Sequence, residues 1–411
     1  MHILLVADGR SPITRRWLDS LLALNYQVTL VSSHPCDAPP GVQAMHVVPI
    51  AFSRLTAGSG GSHNAAAAGD FRRTLVKTFR PAFLSARYAL GPLSVRSHAN
   101  QFREIVAQVK PDLVHAMRIP FEGMLASHTP SAVPLAISIW GNDLTLHAPR
   151  SRTMGQFTRQ TLQRADGLHT DAQRDLRLAY DWGFTADRPG LVVPSNGGID
   201  LERVQRMRAA LPPELEARIP KDHDLVINPR GVRAYTRTDT FFQAIPLVLE
   251  QHPKTTFLCP AMAGEAEAER WSSAIQADER VVLLPNLSQG QLWDLFTRCP
   301  VSTSITNHDG TPNTLLEAMS CGSFPVAGDI ESLREWIDPG VNGLLVEPGS
   351  PSQLAGAILQ ALQDTAMREK ANQINLDMIR ERAEVSHVRP KIAAFYQQVL
   401  AEVAQKRDGM R

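Results

Sequence analysis

The sequence is poor in cysteine. Cys36, Cys259, Cys299 and Cys321 are widely scattered, with no Cys-x-x-Cys pair and no histidine at ligand spacing. That argues against a disulfide framework or a zinc site and reads as buried thiols in a reducing compartment. Long apolar runs are also missing. Nothing approaches the ~20 residues of a membrane span, and the opening run Ile3–Ala7 reads as a strand, not a signal sequence. A cytoplasmic protein is expected. Aromatics make up only 6% of the chain and net charge is +1, so there is no nucleic-acid footprint. Glycine is scarce where a dinucleotide cofactor would need it. Only Gly9 follows the first strand, and the second ends in Ser32-Ser33-His34 without an acid for a cofactor ribose. No cofactor is expected, and no metal.

What is present is ordinary soluble material, 43% hydrophobic and 20% charged over 411 residues, enough for two or three domains. Short apolar runs alternate with helical patterns along most of the chain. Strands are expected at Ile3–Ala7, Val28–Val31, Leu113–Ala116, Leu135–Trp140, Gly167–Thr170 and Leu191–Val193. A second series follows at Leu225–Asn228, Thr256–Cys259, Val281–Leu284, Val301–Ile305, Phe324–Ala327 and Leu344–Val346. Helices are expected between these, near 239–250, 265–276, 289–298, 312–321, 331–337 and 351–364, the last opened by a capping box at Ser350–Gln353. Such alternation implies parallel sheets with helices on both faces. The proline-rich stretch from Leu211 to Pro220 reads as the linker between the two halves.

Acids are absent between Asp70 and Glu104, and Thr56 to Gly69 carries no charge. Phe71, Leu75, Phe79 and Phe83 recur four residues apart among Arg72, Arg73, Lys77, Arg80 and Arg87. Two readings stand: an amphipathic helix over 71–90 lying on an anionic membrane, or a helix turning the same residues toward a core.

The densest chemistry lies between Asp309 and Gly328. Thr311 suits an N-cap, Pro312 the first helical position, and Gly322 a left-handed stop, giving a helix over 312–321. Its first turn would leave the amides of Asn313, Thr314 and Leu315 free at the positive end of the dipole, a phosphate site. Glu317 shares a face with Asn313, one turn or about 5.4 Å away, where a carboxylate accepts the hydroxyls of a ribose. Asp309, with Gly310 just outside the helix, reaches toward whatever the phosphate carries.

Asp309 and Glu317, with Leu-Glu-Ala-Met, Gly322 and Pro325-Val326 following, resemble the acid-x7-acid motif of retaining glycosyltransferases of the GT-B fold, the glycogen-synthase-like family 4. The resemblance also takes in Pro194-Ser195-Asn196-Gly197-Gly198-Ile199-Asp200 and the Arg of Asn228-Pro229-Arg230. It implies an α/β fold of two Rossmann-like domains facing across a cleft. Residues 1–210 would bind the acceptor and 211–385 the nucleotide sugar, and a helix within 386–411 would pack back on the first domain.

By the same resemblance Glu317 holds the nucleotide ribose, Asp309 the sugar and Arg230 the pyrophosphate; the family's Lys on the pyrophosphate is absent, with Arg233 or Arg237 as its substitute though neither matches by position. Asn286 and Leu287 would pair with the base, and Gly9 and Arg10 would face acceptor and donor. His115 and Asp143, at the ends of two first-domain strands, are further catalytic candidates. His115 has a second reading as a satisfied core histidine, and Asp143 as a turn cap. The implied reaction moves a sugar, with retention, from a nucleotide-sugar substrate such as a UDP-sugar to a glycan or lipid-linked acceptor, at the inner face of a membrane on the membrane-contact reading of 71–90. A sugar-nucleotide epimerase and a donor-binding protein without turnover are the alternatives.

Overall fold

The computed structural model describes residues 1–51, 80–275 and 278–408. The chain divides into two units, Met1–Gly197 with Arg389–Arg411, and Gly198–Val388. The division falls at 197/198 rather than at 210/211. The supposed linker belongs wholly to the second unit, where Leu211 and Ile219 are buried and Glu216 chelates Arg298 through two bonds of 2.7 and 2.9 Å.

The first unit is built on seven parallel strands in the order β3-β2-β1-β4-β5-β6-β7. They are β1 His2–Ala7, β2 Gln27–Ser32, β3 Ala44–Val47, β4 Leu113–Ala116, β5 Leu135–Ile139, β6 Gly167–Thr170 and β7 Gly190–Val192. The inner strands are buried along their length and mostly apolar because helices cover both faces, with His115, Ser138 and His169 among the polar exceptions. Leu4, Val6, Val114 and Ile137 are buried in one core with Phe102 of helix α2 (Arg80–Val109). β3 was not anticipated. As an edge strand of mixed polarity, it carries no apolar run to announce it.

The second unit has six parallel strands, ordered β10-β9-β8-β11-β12-β13. They are β8 Asp224–Ile227, β9 Thr255–Cys259, β10 Val281–Leu283, β11 Val301–Ser304, β12 Phe324–Gly328 and β13 Leu344–Val346. One face packs Phe241, Phe242 and Ile245 of α3 (Thr238–Gln251). The other packs Trp293 and Phe296 of α4 (Gln289–Arg298) and Leu316 of α5 (Asn313–Ser320). The two Rossmann-like units expected from the sequence are both formed.

Two local expectations change, and a third lies partly outside the described residues. Residues 331–336 form turns, not a helix, because side chains tie the segment to the Asp309 loop: Ser332 Oγ donates to the Asp309 carbonyl (2.7 Å) and Trp336 Nε1 to Thr311 Oγ1 (2.8 Å). Ser350 caps its helix, but Gln353 Oε1 accepts from the Glu347 amide, so only half a capping box forms there. The complete box is Ser288 with Gln291. The stretch 71–79 of the two-way amphipathic reading lies outside the described residues. At its far end Leu90 and Leu93 are exposed, while Arg87 stacks on Phe121, 4.9 Å from its ring centre.

Helix α6, Val385–Asp408, begins in the second unit and ends in the first. In the first unit its Tyr396 joins a buried polar chain. Trp17 Nε1 donates to Tyr396 Oη (3.1 Å), which meets His115 Nδ1 (2.8 Å). His115 Nε2 meets Ser138 Oγ (2.8 Å), Ser138 Oγ meets His169 Nδ1 (2.8 Å), and His169 Nε2 meets the Val193 carbonyl (3.0 Å). A carbonyl can only accept, so with both imidazoles neutral the Val193 end fixes the direction of every bond back to the tyrosine. Tyrosine donates to His115, His115 to Ser138, Ser138 to His169, and both imidazoles carry the proton on Nε2.

Burial lowers the His169 pKa to about 4 and holds His115 well below its usual range. Unfolded, each histidine would titrate near 6.5. The folded state refuses the proton that the unfolded state takes, so stability present above pH 6.5 is lost as pH falls toward 4. The slope is about 1.4 kcal/mol per pH unit for each of the two. Denaturant unfolding should therefore weaken steeply from pH 6.5 to 5. His169→Gln, though less stable at pH 7.5, should show a visibly shallower slope, and an unchanged one would remove the histidine from the account.

Candidate functional site

In the second unit the loops after β8 and β11 leave the sheet side by side, since these strands are neighbours. They are then sewn together: the Arg237 amide donates to the Ile305 carbonyl and the Asn307 amide to the Tyr235 carbonyl, each at 2.9 Å, around a Thr236–Thr306 bridge. That seam brings Arg230 of one loop to Asp309 of the other.

Arg230 Nη2 donates to Asp309 Oδ2 in a close ion pair whose two side chains are 12% and 16% exposed. Arg230 Nη1 donates to Thr314 Oγ1 in the first turn of α5 (3.3 Å). The Gly310 amide donates to Asp309 Oδ1 (3.1 Å). An arginine, an acid and a helix start are thus within one hydrogen-bonded cluster.

The helix start differs from expectation. Thr311 Oγ1 is taken by Trp336, so Thr311 does not cap. Pro312, extended at ψ 123°, stands at the N-cap position and α5 begins at Asn313. The Leu315 amide is spent on the Pro312 carbonyl (3.0 Å), and the Leu315 side chain is buried in the core. Two amides remain, those of Asn313 and Thr314, with no partner among the described residues. They and Arg230 carry the positive potential of this corner. Gly322, at φ 84°, ends the helix as expected.

Glu317 is 5% exposed and takes a hydrogen bond from Gln289 Nε2 at 2.7 Å. Gln289 was not foreseen. It opens α4 directly after the turn at Asn286 (exposed) and Leu287 (half-buried), so it links the expected base turn to the expected ribose acid. Of the other basic candidates, Arg237 is committed to Asp239 through bonds of 2.9 and 2.8 Å. Arg233 is exposed, with no side-chain bond among the described residues.

In the first unit two catalytic candidates are corrected. His115 is fully buried, with both ring nitrogens spent inside the polar chain, so its structural reading holds. Asp143 is also fully buried. It accepts from the amides of Trp140 and Ile119, each at 3.1 Å, and from Arg118 Nη2 at 2.6 Å, which makes it a clamp on that loop and on Arg118. Gly9 is packed against β2, where a Cβ would stand 2.6 Å from Cys36 Sγ. Arg10 is chelated by Asp8 with two bonds of 3.0 Å, a pairing that raises the Arg10 pKa. Among the described residues no group of three or more His, Cys, Asp or Glu side chains fits a metal ion.

The Gln289–Glu317 bond has a measurable consequence. Gln289→Ala leaves a buried carboxylate short of a donor, a loss of about 1–3 kcal/mol. Gln289→Glu sets two carboxylates face to face. Its deficit against the unaltered chain should exceed that of the alanine variant at pH 7.5 and shrink toward pH 5, as protonation relieves the repulsion. Equal deficits at both pH values would place Gln289 outside the Glu317 environment.

The family model described as Glycosyl transferases group 1 matches residues 216–376, which hold the whole of this cluster. No curated protein sequence matches the chain. Three solved structures share the fold at low identity. Anabaena HepE, in complex with UDP and glucose, is 15% identical with a TM-score of 0.67, covering 97% of this chain and 99% of its own. A sucrose-phosphate synthase from Thermosynechococcus elongatus is 15% identical with a TM-score of 0.71 over 98% and 99% of the two chains. An α,α-trehalose-phosphate synthase (UDP-forming) from Burkholderia vietnamiensis is 14% identical with a TM-score of 0.72 over 97% of each.

Proposed function

We propose that this chain is a glycosyltransferase of the GT-B type, moving a sugar with retention from a nucleotide-sugar donor, a UDP-sugar, to an acceptor held by the first unit. The observation that carries the reading is the bond from Arg230 to Thr314. It sets a guanidinium beside the two unspent amides of α5, with Glu317 one turn further on. Guanidinium and amides together suit a pyrophosphate, the first as a fork of donors and the second at the positive helix end. Glu317 takes the ribose and Asp309 the sugar. The match of the Glycosyl transferases group 1 model over this region and the UDP in the HepE complex support the choice of donor.

Catalysis on this reading is electrostatic. As the glycosidic bond breaks, negative charge grows on the departing diphosphate, and Arg230 and the amides of Asn313 and Thr314 are already directed at it. No metal is needed, so turnover should survive EDTA; loss with EDTA and rescue by magnesium would refute this. The four free cysteines suit a cytoplasmic protein, working in glycan assembly. One observation favours a second reading, a donor-binding protein without turnover. Arg237 is drawn away by Asp239, and among the described residues Arg230 is the arginine bonded to the helix start. UDP binding without transfer to any of a broad set of saccharide acceptors would select that reading.

Calorimetry separates the assigned roles. Glu317→Ala should weaken UDP and uridine alike, whereas Arg230→Ala should weaken UDP and leave uridine nearly unchanged. Asp309→Asn removes a negative charge beside the phosphate site, so UDP should bind as tightly as before or tighter. The lost sugar contact should lower kcat/KM roughly 5- to 150-fold. A parallel loss of UDP affinity in the Asp309 variant would overturn the division of labour.

A further inference from the structure

A cavity of about 310 Å³ opens in the first unit where β1, β2, β4 and β5 end, lined in part by Asp8, Arg10, Arg87, Arg118, Glu122 and Trp140. Three guanidinium groups and two carboxylates therefore share its wall. Asp8 is engaged by Arg10 and lies 3.4 Å from His34. Glu122 accepts a bond from Ser33 Oγ at 2.6 Å, and burial raises its pKa. The partner of Arg118 is Asp143, outside the cavity lining, with the guanidinium lying over the Trp140 ring at 4.6 Å.

Arg87 differs from the other two. It makes no salt bridge among the described residues and is held by its stack on Phe121; its Nε, like that of Arg118, is buried with no hydrogen bond among them, and the Glu122 carboxylate is the charge that favours it. Trp140 Nε1 is a second buried donor in the same wall without an acceptor. Phe121 itself stands at φ 69° and ψ −57°, a strained conformation for a bulky residue, and Gly91 leaves its ring room: a Cβ there would sit 2.7 Å from it. Two buried donors of the wall, Arg87 Nε and Trp140 Nε1, thus have no acceptor among the described residues, and strained backbone supports Arg87.

We infer that this cavity is the acceptor subsite and that the acceptor is a small phosphorylated saccharide, its phosphate bound by Arg87 and Arg118 and its ring lying against Trp140. This rests on the glycosyltransferase reading for the word acceptor, but the binding chemistry stands without it. A phosphate brings acceptors to these donors, and its charge meets two guanidinium groups in a partly desolvated place. Glu122 and Asp8 remain to take sugar hydroxyls. About 310 Å³ suits one monosaccharide phosphate, whereas a lipid chain would find charged side chains along this wall.

The test uses the full chain and thermal shift with titration calorimetry. Probes are the 1- and 6-phosphates of glucose, mannose and galactose, their neutral parents, inorganic phosphate, and vesicles carrying a polyprenyl phosphate. At least one hexose phosphate should stabilise the chain at concentrations where its parent sugar does nothing. Arg87→Met, which keeps an apolar stem on Phe121, should weaken it roughly tenfold or more while UDP binding is unchanged. Neutral sugars binding as well as their phosphates, an unaffected Arg87 variant, or binding confined to the polyprenyl phosphate vesicles would each overturn the inference. UDP failing to bind the unaltered chain would instead count against the nucleotide reading, leaving the hexose phosphate result to be judged alone.

Discussion

Parallel pairing is the constraint on which both units depend. A parallel strand must be followed by a crossover, and the crossover helices cover both faces of the sheet, so strand interiors are buried and their few polar side chains, such as His115, Ser138 and His169, are bonded to one another. The polar groups open to a ligand are left to the strand ends. Arg230 follows β8, Asp309 follows β11 and Arg118 follows β4, each only a few residues beyond its strand. Neighbouring strands in the sheet then decide which loops meet. β8 lies beside β11 although 73 residues separate Ile227 from Val301 in the chain, counted as the residues between them. The Arg230–Asp309 pair is a product of that adjacency.

That pair joins two residues which the sequence reading had given separate tasks, one on phosphate and one on sugar. Both side chains are largely shielded from water, where an isolated charge would be expensive and a paired one is tolerable. The pairing keeps the corner near neutrality without a ligand. It also means that an incoming phosphate must share Arg230 with a carboxylate already in place. The two free amides of α5 are spared that competition, since neither has a partner to give up. Arginine then contributes direction as much as charge: with Nη2 fixed by Asp309 and Nη1 by Thr314, its plane is set before any ligand arrives.

The legible and the illegible parts of this chain divide by distance along the sequence. Strand positions came out within a residue or two because buried parallel strands announce themselves as mostly apolar runs, and the Gly322 end of α5 because a left-handed stop is local. Edge strand β3 did not, having no such run. His115 and Asp143 were misplaced because what decides their roles is remote. Tyr396, which takes up His115 Nδ1, lies 281 residues away, and Arg118 reaches Asp143 across 25. Trp336 likewise displaced Thr311 from its cap across 25 residues, and with it the start of the helix. Gln289 was within reach of the sequence reading, since a polar residue opening the helix after the expected base turn invites the question of what it faces.

The same tethers explain why the Asp309 loop holds its shape although it has little regular structure. Its carbonyl is held by Ser332 and its Thr311 by Trp336. The segment that supplies both is itself fixed further on. Asn342 Nδ2 donates to the Trp336 carbonyl at 2.9 Å and to Asn375 Oδ1 at 2.9 Å, and Asn375 Nδ2 donates back to the Asn342 carbonyl at 3.0 Å. Both asparagines are buried, so these bonds lie out of reach of competing water and an amide left unpaired there would be costly. Asp309 is thus positioned by a relay from the 365–382 helix through Asn375, Asn342 and Trp336 to the loop. A residue on a loop gains the precision of one on a helix when side chains of distant rigid elements satisfy its backbone.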